Sequence, residues 1–115
     1  MPNSIQDYHA HLYFNETQID LVHKVLEKVK AKYEFEIGRV WGSSVGPHPI
    51  GSCQILFPPE SFGEFIPWLM LNREGIDVFI HANTGDGLKD HTENIMWLGK
   101  SYDLKTDMFK PENRA

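Results

Sequence analysis

Tyr8-His9-Ala10-His11-Leu12-Tyr13-Phe14 alternates apolar side chains with imidazole and phenol rings. A strand repeats every two residues, so this stretch sends Ala10, Leu12 and Phe14 to one face and His9, His11 and Tyr13 to the other. The first set asks for a hydrophobic core. The second places two imidazoles roughly 6.5–7 Å apart along the strand, a spacing from which both rings can lean toward one point. Neutral imidazole is the commonest protein ligand for a transition metal, and this face is therefore the first place to look for chemistry.

Beyond the strand, Asn15-Glu16-Thr17 supplies a stop and a cap. From residue 17 or 18 to about 33, Ile19, Val22, Val25, Leu26 and Val29 recur at helical intervals, with Lys24, Glu27, Lys28, Lys30 and Lys32 on the opposite side. Residues 35–41 predict a second strand. Residues 42–49 then form an irregular loop, where Pro47 and Pro49 deny regular pairing. Residues 50–57 predict a third strand, closed by Pro58-Pro59. A second helix follows from about Ser61, with Phe62, Phe65, Ile66, Leu69 and Met70 as its apolar stripe. Pro67 lies inside that stripe, which predicts either a helix start that tolerates it or a kink. Residues 76–82 read as a fourth strand, 83–87 as a turn-rich loop and 91–98 as a short helix or helical turn. Residues 101–115 read as a polar tail.

The order β-α-β-β-α-β is the split pattern of a ferredoxin-like α+β sandwich: two helices on one face of a four-stranded antiparallel sheet, with a C-terminal extension. Strand parity then puts Cys53, Ile55, Phe57, Val78 and Ile80 under the helices. Ser52, Gln54, Leu56, Asp77, Phe79, His81 and Asn83 go to the open face, and the parity of Phe35, Ile37, Arg39 and Trp41 is assigned to that side as well. In this topology the fourth strand runs antiparallel beside the first, bringing His81 to His9. A register slip of one residue would reverse every one of these assignments. An open face this apolar requires a cover, either a second subunit or the C-terminal tail.

The length of 115 residues suits a single domain, taken as 1–115. An apolar fraction of 41% with 12% aromatics describes a folded globule. The net charge of -5, with no basic run, argues against a nucleic-acid partner. Cys53 is the single cysteine and forms no internal disulfide. With no signal-like N-terminus and no apolar run of membrane-spanning length, the expectation is a cytoplasmic protein without a membrane partner. Simpler readings stand beside the chemical one. A His-x-His pair in a strand is often just two hydrogen-bonded or solvated rings. His48 between two prolines suits a rigid loop, and His91 after Asp90 suits a helix start paired with a carboxylate. His23 reads as solvated surface, Trp41, Trp68 and Trp97 as packing, and Cys53 as a small buried residue.

The blocks from Tyr8 to Phe14, Gly46-Pro47-His48-Pro49, His81-Ala82-Asn83-Thr84-Gly85-Asp86, Asp90-His91-Thr92 and Trp97-Leu98-Gly99 together resemble the DOPA 4,5-dioxygenase family of small fungal and bacterial extradiol dioxygenases. The resemblance implies a ferredoxin-like fold and a metal-dependent enzyme that opens the ring of DOPA or a related catechol with molecular oxygen. It implies Fe(II) as cofactor, with another divalent metal such as Zn able to take the same ligands in a purified sample. Extradiol sites commonly use two histidines and a carboxylate. Here His9, His11 and His81 share a face while Asp77 sits at the far end of its strand, so a three-histidine site is expected, with His48 in place of His9 as the alternative. His48 and His91 become candidates for the general base or acid of ring opening. Arg39 is the candidate partner of a substrate carboxylate, with Tyr13 and Asn83 as further substrate contacts. The family usually carries Pro where Ala82 stands and an acidic residue where Gly87 stands, departures that bear on substrate preference. A homodimer is expected. Two other classes fit parts of the pattern: a cofactor-independent dimeric α+β barrel monooxygenase or isomerase, and a non-catalytic domain that binds a metal or small molecule.

Overall fold

β1 (Asp7–Phe14) is the middle strand of a five-stranded antiparallel sheet in the computed structural model, which describes residues 4–110. α1 (Ile19–Lys32) follows, then the two-residue β2 (Glu36–Ile37), β3 (Gly51–Phe57), α2 (Phe62–Asn72), β4 (Asp77–Asn83), α3 (Gly87–Thr92) and β5 (Ile95–Leu98). The sheet order is β2-β3-β1-β4-β5. The first four strands and two long helices give the expected ferredoxin-like α+β arrangement, and β5 adds a fifth strand beside β4.

The helix-facing parity holds along the three central strands. Ala10, Leu12 and Phe14 pack with Cys53, Ile55, Phe57, Val78 and Ile80 beneath Val22, Val25, Leu26 and Val29 of α1 and Phe65, Ile66 and Leu69 of α2. Burying a side chain of this size stabilises by about 1.5–3 kcal/mol each, which makes this layer the main source of fold stability. Asn15 caps the chain ahead of α1 by accepting from the Thr17 backbone, and Gln18 bonds back to the Asn15 amide. Pro67 sits in mid-helix on the solvent side, where water can bond the Gly63 carbonyl that it leaves without a donor.

Two expectations are corrected. The second strand does not keep one parity from Phe35 to Trp41. Ile37 pairs with Ile55 and packs against the helix-side core, as does Phe35, whereas Trp41 bridges Ser52 on the other side. Three residues, 38–40, stand opposite only two, Cys53 and Gln54, and this one-residue bulge flips the chain over. The segment 91–98 is not one helix: α3 ends at Thr92, and Ile95–Leu98 pairs in register with Val78–His81.

The chain's own tail covers part of the open face. The Tyr102 hydroxyl donates to Asp77 at 2.7 Å, and its ring meets Tyr13 and Trp97. The Lys105 amide donates to the Pro47 carbonyl at 2.8 Å, and Phe109 stacks on His91 with centroids 4.3 Å apart. Residues 111–115 of that tail lie outside the described residues. No helix among the described residues is long and apolar enough to cross a membrane.

Candidate functional site

The register of β1 and β4 sets His9 directly opposite His81, and His11 follows one pleat further along the same face. The three rings offer nitrogens that all lie within 4.8 Å of one another. His11 Nε2 stands 3.0 Å from His81 Nε2. Two nitrogens bound to one ion at about 2.1 Å and at right angles would stand about 3.0 Å apart, so this pair already has the spacing of neighbouring ligands. His11 and His81 are buried, with 4% and 1% of their surfaces exposed, and His9 is half-buried.

Hydrogen bonds orient the rings. His81 Nδ1 lies 3.0 Å from the Ala82 carbonyl. A carbonyl only accepts, so Nδ1 carries the proton and Nε2 of the neutral ring keeps its lone pair. Burial holds the cluster neutral, because each imidazolium would lose hydration and face other imidazoles. His11 is pushed well below the usual histidine range by burial and then by the charges of His48, His81, His9 and His91. His81 falls to about 3, chiefly through burial, against the opposing pull of its Ala82 bond. His9 is lowered by burial, with Asp7 pulling the other way. A group of imidazoles held neutral near pH 7, each with one ring nitrogen able to act as a ligand, suits Fe, Zn, Cu or Ni and not Mg or Ca.

No carboxylate belongs to this metal-ligating group among the described residues. Asp77 lies at the other end of β4, where it accepts from the Lys100 amide and the Tyr102 hydroxyl. Asp90 is buried but spends its oxygens on the Thr84 amide and hydroxyl and on Asn94, bracing the loop after β4. In that loop Gly85 takes the positive φ of 100°. Asp86 caps α3 by accepting from the Lys89 amide.

His48 approaches from the loop ahead of β3 and His91 from α3. His48 packs on His11 with ring centroids 4.2 Å apart, and its Nδ1 lies 2.7 Å from the Tyr13 hydroxyl. Burial and the neighbouring imidazoles lower it to about 4. His91 sits 4.2 Å from the His81 ring, and its Nδ1 donates to the Gly87 carbonyl at 2.7 Å. It makes that bond and not one to Asp90. Five of the six histidines thus gather on one face, and only His23 stays out on α1.

The candidate substrate groups divide. Arg39 lies over Trp41 at 4.5 Å and lines a recess of about 280 Å³ with His11, His48, Ser52 and Gln54. Tyr13 is 1% exposed and enclosed by Phe79, Trp97 and Tyr102, so it meets His48 and not the recess. Asn83 shares the face of His81 but gives its amide to Asp7 at 2.6 Å, one rung beyond the His9–His81 pair. The sequence reading did not single out Tyr102 and Phe109 of the tail. Two aromatic rings in an otherwise polar stretch were the available signal, as Ile95-Met96-Trp97-Leu98 between Asn94 and Gly99 was for β5.

The fold and this cluster define an α+β sandwich protein with a buried histidine centre on its sheet. The chain belongs to the Dopa 4,5-dioxygenase family, whose profile matches residues 8–108. It is 41% identical to a protein of Nostoc punctiforme whose crystal structure is titled a "putative dioxygenase", superposing with a TM-score of 0.87 over 90% of each chain. It is 28% identical over 113 residues to a protein named DOPA 4,5-dioxygenase from Amanita muscaria, and 32% identical over 115 residues to a Botryotinia fuckeliana protein described as "Uncharacterized 21.2 kDa protein". The match spans 90% of this chain but 50% and 63% of those two relatives.

Proposed function

We propose that this chain is an extradiol dioxygenase that opens the ring of DOPA or a related catechol, with Fe(II) held by His9, His11 and His81. The observation that carries the reading is the neutral three-histidine cluster, with nitrogens within 4.8 Å of one another, in a chain of this family. When bound, iron would supply the electron exchange that lets a catechol react with dioxygen at neutral pH. Both oxygen atoms end in the product, and one ring carbon–carbon bond beside the diol is lost.

The chain's own groups do the rest. His81 is held for ligation by the Ala82 carbonyl, an anchoring of the kind that typically changes metal affinity about 10–100-fold. His91 keeps a free Nε2 lone pair that can take a catechol proton, and His48 stands on the other side of the ligand cluster as a second proton-handling group. Arg39 in the recess suits the carboxylate of the substrate side chain, in a paired geometry that Lys would not match. The tail sets Tyr102 against Tyr13 and Phe109 against His91, packing one side of the cluster. A homodimer and the catechol as natural substrate belong to the same proposal.

The test is anaerobic purification, loading with Fe(II), and oxygen uptake on adding DOPA, caffeic acid or protocatechuic acid. One dioxygen consumed per catechol, with a yellow ring-opened product, is the expected result. Iron bound without turnover would favour the binding-domain reading, and turnover without metal would favour a cofactor-independent oxygenase.

A further inference from the structure

The geometry points to Tyr13 as a positioning residue that fixes His48 in the tautomer opposite to that of His91, so that His48 offers a donor and His91 an acceptor on either side of the ligand cluster. The inference rests on the proposed function for its catalytic meaning, though not for its structural content.

Tyr13 was expected to touch substrate, but its hydroxyl is already engaged. It lies 2.7 Å from His48 Nδ1, at the bottom of a ring cluster where Tyr13 is 1% exposed. Either atom could donate in principle. If His48 Nδ1 carried the proton, the Tyr13 hydroxyl hydrogen would need another acceptor, and among the described residues the hydroxyl has no hydrogen-bond partner besides His48. A buried hydroxyl left without an acceptor is costly, and burial also keeps this phenol protonated. The satisfied arrangement has Tyr13 donating to Nδ1, which leaves His48 with its proton on Nε2.

His91 is fixed the other way. Its Nδ1 faces the Gly87 carbonyl at 2.7 Å, which can only accept, so Nδ1 carries the proton and Nε2 is bare. The Phe109 ring, 4.3 Å away and nearly parallel, holds the imidazole flat in that position. Two histidines that look alike in sequence are therefore unlike in what they present. His48 offers N–H at the recess shared with Arg39 and Gln54, and His91 offers a lone pair beside His81. Neither assignment requires either ring to change its charge.

The experiment is a long-range proton–nitrogen correlation spectrum of the full, metal-free chain labelled with ¹⁵N-histidine, with His48→Gln and His91→Gln used to assign the signals. The expected result is an Nε2–H form for His48 and an Nδ1–H form for His91. In Tyr13→Phe, His48 should lose its single tautomer and average between the two while His91 stays unchanged. A His48 already in the Nδ1–H form, or one unmoved by Tyr13→Phe, overturns the inference. In the iron-loaded enzyme, Tyr13→Phe should lower kcat about tenfold with KM for the catechol little changed. An unchanged kcat would also count against it. If the wild-type tautomers are as stated and the loaded wild type shows no turnover, it is the proposed function that fails, and the positioning role stands.

Discussion

The two faces of one sheet are built from alternate residues of the same strands and are held together by different physics. Toward the helices, Leu12, Phe14, Ile55, Phe57, Val78 and Ile80 bury hydrocarbon and form no polar network. Toward the tail, His11, Tyr13, Phe79 and His81 are just as deeply buried, but the three polar rings are also fixed by hydrogen bonds, His11 to His81, Tyr13 to His48 and His81 to the Ala82 carbonyl. The first face is specified by volume, the second by where each proton sits. Volume tolerates rearrangement within a few methylenes, whereas a proton network changes its function when one atom is removed.

That contrast can be broken most forcefully from the helix side. Phe65→Ala should lower unfolding free energy by about 3–5 kcal/mol in urea melts while the surviving folded protein binds metal as before. A loss under about 1 kcal/mol would mean that the core is not where the stability lies. The tail side responds to acid. His48 and His81 have native pKa values of about 4 and about 3 and near 6.5 when unfolded, so below about pH 6.5 the unfolded chain binds more protons than the native one. The metal-free protein should therefore lose roughly 1.4 kcal/mol per pH unit for each such histidine as pH falls toward the native values, and be insensitive above about pH 7. Denaturation midpoints that stay flat between pH 7 and 5 would contradict the neutral cluster.

Smaller changes sharpen the same division. Arg39→Ala should raise KM about tenfold for a catechol that bears a carboxylate and leave plain catechol unaffected, which steady-state kinetics on the two substrates would read. Equal effects on both would remove Arg39 from substrate recognition. Tyr102→Phe deletes the bond to Asp77 and should cost about 1 kcal/mol, seen as faster amide exchange confined to the tail. Smallest of all, Gly87→Asp would bring a side-chain carbon within 2.9 Å of the Phe109 ring. Fluorine-labelled Phe109 should report its displacement from His91, and an unmoved ring would show that the tail adapts freely.

The helix-side face was legible in the sequence because burial writes a period of two into a strand and of 3.6 into a helix, and both are visible in Ala10-Leu12-Phe14 and Val22-Val25-Val29. The convergence of His9, His11 and His81 followed from that parity and the split topology. What could not be read depends on partners far along the chain. The bulge at residues 38–40 becomes visible only against Cys53 and Gln54, since local sequence carries no mark of a missing opposite residue. Ile95–Leu98 is strand because β4 offers it an edge, although a four-residue apolar run suits a helix end equally well. Strand parity names a face and not a neighbour, so the bond from the Tyr13 hydroxyl to His48, 35 residues away, has no local signal.

The central claim is that His9, His11 and His81 together hold one metal ion. Calorimetric titration of the metal-free chain with Fe(II) under anaerobic conditions, repeated with His9→Ala, His11→Ala and His81→Ala, tests it directly. One ion per chain in the wild type, lost in His11→Ala and His81→Ala and weakened at least about 100-fold in His9→Ala with the circular dichroism of each variant unchanged, is the predicted result. Full iron binding by His11→Ala would contradict it.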